Sequence, residues 1–347
     1  MDDDYNREQL REDLVYLAET FFSHESYKRI DDRPVLYIWI GGSFQGDVVS
    51  AYEEAVEAAG VRPYLIVDLP ESDTIDQFPI AEVADAVNTY NPWDDRPDID
   101  EVFLERLTEN YDRWHASLDH LGLDLIPGVI PGFDDTEITH TQRDNEPLEP
   151  TPSLYRDGAK IAAQYADGPV LVTSFNEWYE DTQIEPSEEH GEAYLEITAE
   201  VLATGNPDPP TTDKSYLTFS FERTVPESDL ASDVENGREL TMLVSELRVH
   251  DTDGELVVDA DVGSEPEEIT FLLGTFSPGS SDDDTWRWLG GDTQSLILTP
   301  ELPAGGELEL VGRAATDMEM TVSVDGTEAG TTDVSTEHGS YTVPFEQ

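Results

Sequence analysis

Val170-Leu171-Val172-Thr173-Ser174-Phe175-Asn176-Glu177-Trp178-Tyr179-Glu180-Asp181-Thr182-Gln183-Ile184-Glu185-Pro186 reads as a short buried strand running straight into a chemically loaded loop. Val170 to Phe175 is a continuous run of β-formers and apolar residues, the signature of a strand covered on both faces. Beyond it two carboxylates, Glu177 and Glu180, stand three residues apart with Trp178 and Tyr179 between them. In a barrel of parallel strands, catalytic groups sit at the C-terminal strand ends. The reading of the chain therefore turns on whether the residues around this stretch supply a parallel sheet.

The preceding residues alternate helical and strand patterns. Leu10, Leu14, Leu17, Ala18 and Phe21 recur at helical spacing across residues 6–22, and Val35 to Ile40 follows Pro34 as a strand. Residues 47–59 read as a helix closed by Gly60, and Tyr64 to Val67 as a buried strand. Residues 80–90 are ambiguous, with Ala84 to Tyr90 a short strand candidate. Residues 99–120 form an amphipathic helix through Val102, Phe103, Leu107, Tyr111, Trp114 and Leu118. A strand over Leu125 to Ile130, a helix over 155–166 and a helix over 188–203 complete about five β/α units. Such alternation implies a parallel sheet with helices outside it. A closed eight-unit barrel needs about 250 residues, so a partial (β/α) TIM-type barrel is expected over residues 1–205.

Gly205-Asn206-Pro207-Asp208-Pro209-Pro210-Thr211-Thr212 is a linker by composition, bounded as residues 206–214. Residues 215–347 then switch to short alternating segments: 216–221, 243–249, 256–262, 269–273, 296–298, 308–310 and 320–324. Asp253-Gly254, Gly290-Gly291, Gly305-Gly306 and Asp325-Gly326 separate them as turns. This spacing predicts an antiparallel β-sandwich as an accessory domain.

Asp and Glu number 78 against 18 Lys and Arg, a formal net charge of −60, and lysine occurs only at positions 28, 160 and 214. The acidity is spread along the whole chain. Self-repulsion of this size opposes compaction unless salt screens it. The composition therefore reads as adaptation to a high-salt cytoplasm or brine and looks like that of a halophilic archaeon, the alternative being an acidic mesophilic protein. A chain with no basic stripe is a poor partner for nucleic acid. It contains no cysteine, which excludes disulfides and thiolate metal sites. No stretch approaches the length of a membrane span. The acidic start shows no signal peptide, so the chain as written reads as cytoplasmic, an extracellular location following if the true N-terminus lies upstream.

Paired carboxylates are the standard equipment for glycosidic cleavage, one protonated and one ionised across the scissile bond. Crowding two of them in a partly dry hollow drives their pKa values apart. Trp178 and Tyr179 suit the apolar faces of sugar rings, and Asn176 can hold a hydroxyl. In so acidic a chain the alternative is a solvated loop; clustering of Asn, Trp, Tyr and Gln with the acids favours a site.

The loop Phe175-Asn176-Glu177-Trp178-Tyr179-Glu180-Asp181-Thr182-Gln183-Ile184-Glu185-Pro186 resembles the catalytic loop of glycoside hydrolase family 99, the endo-α-mannosidases. Tyr16-Leu17-Ala18, Phe22, His24, Tyr27-Lys28-Arg29-Ile30-Asp31 and Arg33-Pro34-Val35 resemble the approach to that family's fourth strand. Pro127-Gly128-Val129-Ile130-Pro131-Gly132-Phe133-Asp134-Asp135 resembles its seventh strand and loop. The match spans residues 10–200. It implies retaining cleavage of α-mannosidic bonds with Glu177 as base, Glu180 as acid, and no metal or organic cofactor. Tyr90 matches a site tyrosine; Trp39 and Phe44 are expected to line the groove; Asn176, Trp178, Tyr179 and Gln183 complete the expected glycan-binding set. Asp181 stands where the family carries Gly. The family's first three β/α units have no counterpart in the chain as written, which leaves an N-terminally truncated gene, a neighbouring chain that complements the barrel, or a non-catalytic carbohydrate-binding remnant. WbsX-like proteins of surface-glycan assembly share a related Asn-Glu-Trp loop, which adds a role in polysaccharide assembly.

Asp2-Asp3-Asp4 and Asp282-Asp283-Asp284 lack the spacing of a calcium loop. Asp251-Thr252-Asp253-Gly254 reads as a hairpin turn. His115 and His120 read as helix surface or packing, and Trp286-Arg287-Trp288 as either a sugar platform or core packing.

Overall fold

A computed structural model describes residues 3–44, 46–70, 74–92, 98–136, 138, 146–202, 214–230, 238–264, 266, 268–280, 285–291 and 293–346. The linker stretch 206–213 and the acidic triplet Asp282–Asp284 lie outside these residues. The chain divides into two compact units, one of residues 1–71 and 78–210, the other of residues 72–77 and 211–347.

The first unit opens with α1 (Asp3–Leu17), which continues into a π-helical turn over Ala18–Phe22. A two-residue strand β1 (Arg29–Ile30) pairs antiparallel with the start of β2 (Arg33–Ile38). There follow α2 (Val48–Ala59), β3 (Tyr64–Asp68), β4 (Ala86–Asn88), α3 (Ile99–Leu121), β5 (Asp124–Leu125), β6 (Gly128–Val129), α4 (Pro152–Tyr165), β7 (Leu171–Val172) and α5 (Ala193–Val201). β2, β3, β4 and β5 pair in parallel in chain order, and β6 pairs in parallel with β7. β5 and β6 are one strand interrupted at Pro127, whose missing N–H cannot join the ladder. The Ile126 N–H still reaches the Val87 carbonyl at 2.9 Å and the Leu171 N–H the Pro127 carbonyl at 3.0 Å. The result is a curled half-barrel of five parallel strands.

Each helix is where its apolar spacing demands. α3 buries Phe103, Leu107, Tyr111, Trp114 and Leu118 on one face and ends at Gly122 in the left-handed conformation, φ 70°. Each buried large side chain contributes about 1.5–3 kcal/mol. The Tyr111 phenol donates to the Gly128 carbonyl, which fixes α3 against β6. α4 starts with Thr151 accepting from the Leu154 N–H at 3.1 Å and Pro152 in its first turn. α5 begins at Ala193, later than the sequence pattern suggests, because Ser187 and Gly191 bridge across a turn with Gly191 at φ 56°.

Burial separates the central strands from the outer ones. Tyr64–Val67 and Ala86–Asn88 are buried, whereas Val35–Ile38 and Leu171–Val172 are only half-buried. Tyr64, Ile66, Ala86 and Ile126 form the inner cluster, with Val35, Tyr37 and Leu171 packed against it. At the N-terminal strand ends, Asp85 accepts from the Leu65 N–H and from Arg33, and Asp167 accepts from the Leu125 N–H. These carboxylates tie the bottom of the sheet together.

The second unit is antiparallel throughout. Its strands are β8 (Lys214–Phe221), β9 (Val225–Pro226), β10 (Glu239–Asp251), β11 (Leu256–Asp261), β12 (Thr270–Leu273), β13 (Gly279–Ser280), β14 (Thr285–Gly290), β15 (Gln294–Pro300), β16 (Gly305–Ala314), β17 (Met318–Val324), β18 (Thr327–Val334) and β19 (Gly339–Glu346). One sheet runs β13-β14-β10-β16-β19, with β9 and β11 also on β10; the other runs β12-β15-β8-β17-β18. Alternate residues of both sheets, among them Leu217, Phe219, Met242, Val244, Leu308, Leu310, Met320 and Val322, share one core. The β10–β11 hairpin turns on Asp251, whose carboxylate accepts from the Asp253 and Glu255 N–H groups at 2.9 Å each. Trp286-Arg287-Trp288 lies in β14: Arg287 is buried, stacks 4.1 Å from the Phe271 ring centroid and donates to the Phe276 carbonyl, while the two indoles are half-buried on the other face.

Candidate functional site

The C-terminal ends of the parallel strands converge. Trp39 and Ile40 leave β2 here, Asp68 ends β3, Tyr90 follows β4, Asp134 follows β6, and the loop carrying Glu177 and Glu180 follows β7.

That loop is built by its own backbone. The Ser174 N–H donates to the Thr182 carbonyl at 2.7 Å, the Ile184 N–H to the Ser174 carbonyl at 3.0 Å, and the Ser174 and Thr182 hydroxyls meet at 3.1 Å. Residues 175–181 are thus pinched at the base. The Glu177 N–H donates to the Ser174 hydroxyl at 2.8 Å, which fixes where that residue leaves the chain. On the far side the Asp134 N–H donates to the Glu180 carbonyl at 2.9 Å, so the loop after β6 braces the second acid. Thr173 anchors the whole stretch: its N–H reaches the Val129 carbonyl at 3.0 Å and its hydroxyl the Tyr90 carbonyl at 2.6 Å. A serine and two threonines thus do the local work that the sequence pattern concealed.

Tyr90 is where the two acids meet electrostatically. Burial, then Glu180, then Glu177, then Asp68 raise its phenol above the ordinary value. Its ring meets Trp39 edge-to-face, centroids 6.0 Å apart and planes at 68°. The structure therefore brings Trp39, Tyr90, Glu177 and Glu180 to one end of the sheet. Trp39, Phe175, Trp178 and Tyr179 are exposed, at 59%, 54%, 46% and 75%. Glu177 is exposed as well and Glu180 half-buried. The described sector is an open face rather than the dry hollow that crowded acids imply, because five strands wall it on one side only.

The remaining expected residues have definite places. The Trp178 indole N–H donates to Glu185 at 2.9 Å, which holds the ring's orientation while its face stays in solvent. Asn176 is exposed, and its carbonyl accepts from the Trp178 N–H at 3.0 Å. Phe44 is half-buried in the turn after β2. Gln183 is turned to Asp181 rather than to the acids: it hydrogen-bonds that carboxylate, and its Oε1 is buried without a partner. Asp181 has φ 52°, the left-handed conformation natural to Gly. Burial first, then Asp134, then Glu189 push its carboxyl up, while Gln183 pulls it down.

The family model described as Glycosyltransferase WbsX matches residues 1–198. The rat glycoprotein endo-alpha-1,2-mannosidase is 32% identical over 77 residues, 22% of this chain and 17% of that protein. A solved structure titled a glycoside hydrolase-like protein superposes with a TM-score of 0.50 at 22% identity, covering 56% of this chain and 61% of the other. The GH99 endo-alpha-mannosidase from Bacteroides thetaiotaomicron gives 0.45 at 21% identity, over 57% and 62%. At such identities the structural likeness is one of fold, and the chain spans less than two thirds of each of these relatives. The WbsX match covers more than half of the sequence and ends with the loop and helix that follow β7, and on that ground the chain belongs to the WbsX family, relatives of the family 99 glycoside hydrolases.

Proposed function

We propose that this protein cleaves α-linked glycans, with mannosidic bonds the leading candidates, through Glu177 and Glu180. The observation that carries the reading is the placement of both acids on one loop at the C-terminal end of a parallel sheet, fixed there by the Ser174 hydroxyl under the Glu177 N–H and the Asp134 N–H on the Glu180 carbonyl, and tied to the Tyr90 carbonyl through the Thr173 hydroxyl. The exposed faces of Trp39, Trp178 and Tyr179 offer sugar platforms, and Asn176 a hydroxyl partner. In the retaining route, Glu177 takes the proton of the sugar's 2-hydroxyl as that oxygen attacks the anomeric carbon, and Glu180 protonates the leaving oxygen. Glu180 then activates the water that opens the intermediate.

We read residues 1–205 as the C-terminal part of a (β/α)8 barrel, residues 206–214 as a linker and residues 215–347 as a β-sandwich accessory domain. The shared core of the two antiparallel sheets supports the last. The half-buried strands β2 and β7 support completion of the barrel by further strands, from an adjoining segment or a neighbouring chain. The net charge of −60 supports a high-salt setting.

The test is release of sugar from α-mannosidic oligosaccharides in molar KCl. Glu177→Gln is expected to lower kcat by at least about 10²-fold; wild-type turnover in that variant ends the two-carboxylate mechanism. The exposure of Glu177 favours a second reading, carbohydrate binding without turnover. Glycan binding by folded wild-type protein with no product would establish it. The family description keeps polysaccharide assembly as the third, to be read as sugar transfer to an acceptor instead of to water.

A further inference from the structure

Asp68 belongs to none of the roles above, yet its side chain holds two of the site's loops at once. It ends β3, half-buried, between the loop that carries Trp39 and the loop that carries Tyr90. One carboxylate oxygen accepts from the Ile40 N–H at 2.9 Å and the other from the Tyr90 N–H at 2.8 Å. Ile40 needs that anchor, because it is a β-branched residue held at φ 54°. Its left-handed backbone turns the chain away from β2 and leaves Trp39 exposed beside Tyr90. Asp68 is also flanked by a fixed shell: the Leu69 N–H donates to the Asn88 carbonyl at 2.9 Å, and fully buried Asn88 accepts from the Tyr37 hydroxyl and donates to the Ile126 carbonyl. The carboxylate therefore stands on a rigid base and reaches outward to two loops.

We propose that Asp68 is a positioning residue that sets the Trp39–Tyr90 pair as a glycan-binding edge beside Glu177 and Glu180. The inference rests on the glycan-cleaving reading for its consequence, though not for its geometry. Without the carboxylate, two strand-end N–H groups lose charged acceptors. The left-handed turn at Ile40 then relaxes and the indole swings away from the phenol, while the acids, held by β7 and its own hydroxyl network, stay in place. Substrate binding weakens more than the chemical step does.

The experiment combines near-ultraviolet circular dichroism with steady-state kinetics on the full chain in molar KCl, for wild type, W39F, D68A and D68N. The wild-type minus W39F difference isolates the Trp39–Tyr90 band. D68A is expected to lose most of that band with its far-ultraviolet spectrum unchanged, and to raise KM for an α-mannosidic oligosaccharide about tenfold with kcat nearly constant. D68N keeps one accepting oxygen at the same size, and it is expected to retain an intermediate band and KM. A wild-type band in D68A overturns the proposal. Should D68A fail to fold, a full wild-type band in D68N overturns it equally. Because the band is read without substrate, a wild-type protein lacking turnover refutes the glycosidase reading while the role of Asp68 is still decided.

Discussion

Gly128 sits in β6 beside the end of β4, and a Cβ built on it would stand 2.2 Å from the backbone oxygen of Thr89 and 3.6 Å from that of Tyr90. The first distance lies about 0.8 Å inside the 3.0 Å limit that real Cβ contacts respect. Gly128→Ala must therefore move the end of β4, and little there can move. Thr89 is buried, the Tyr90 carbonyl accepts from the Thr173 hydroxyl at 2.6 Å, and the Tyr90 N–H is held by Asp68. Overpacking of this kind costs about 1–3 kcal/mol and more where the backbone is pinned. We place this position at about 3 kcal/mol, a large share of a typical domain's stability. Urea unfolding in molar KCl is expected to show the first unit's transition lowered by about 1 M or more. The internal control is Gly158→Ala in the middle of α4, where the nearest atoms to an added Cβ, in Val129 and Leu107, lie at 3.6 and 3.7 Å. That change is expected to stabilise by about 0.5–1 kcal/mol, since alanine is the better helix residue and meets only ordinary contacts. Gly128→Ala unfolding at or above the wild-type midpoint would refute the reasoning, because an unhindered alanine reduces the unfolded chain's freedom and stabilises.

Asp181→Asn keeps the size and tolerance of φ 52° but removes a charge that burial, Asp134 and Glu189 disfavour. A carboxyl raised on folding gives stability that is fully present below the unfolded value, about 3.9, and is lost as pH rises through the folded value. The variant's thermal midpoint is therefore expected above wild type at pH 7, with the gap closing as pH falls towards 4; a constant gap contradicts the assignment. The charge of −60 carries its own expectation. Raising KCl from 0.1 to 1 M shortens the screening length from about 10 to about 3 Å, so the unfolding midpoint should climb steeply across that range, and a flat response would show that the acidity is not an adaptation to salt.

Much of the fold was legible because local pattern and tertiary context agree. The helical spacing of Phe103, Leu107, Tyr111, Trp114 and Leu118 marks the face that α3 buries, and the run Tyr64 to Val67 marks a strand covered on both sides. Where the two disagree, the pattern fails in a recognisable way. Leu125 to Ile130 reads as one strand, but Pro127 divides it. Val170 to Phe175 reads as six strand residues, but only Leu171–Val172 pair, since β7 has β6 as its one partner among the described residues. β18 was not legible, since Thr327–Val334 carries few apolar residues and lies at a sheet edge; β19 does carry the signal, with Tyr341, Val343 and Phe345 at alternate positions facing the core.

The sequence by itself determined the alternation of strand and helix, the change to antiparallel strands after residue 214, the charge, and the pairing of two glutamates with aromatics beyond a strand. Each of these is encoded in residues close along the chain. Only the tertiary structure decided that the Thr173 hydroxyl ties the loop after β7 to the Tyr90 carbonyl, that Gln183 turns to Asp181, and that Asp68 joins two loops. Those relations depend on which strand ends meet, and parallel strands meet across crossovers tens of residues long. A carboxylate at the end of a buried strand looks like any other acid in so acidic a chain until the backbone groups it accepts from are known.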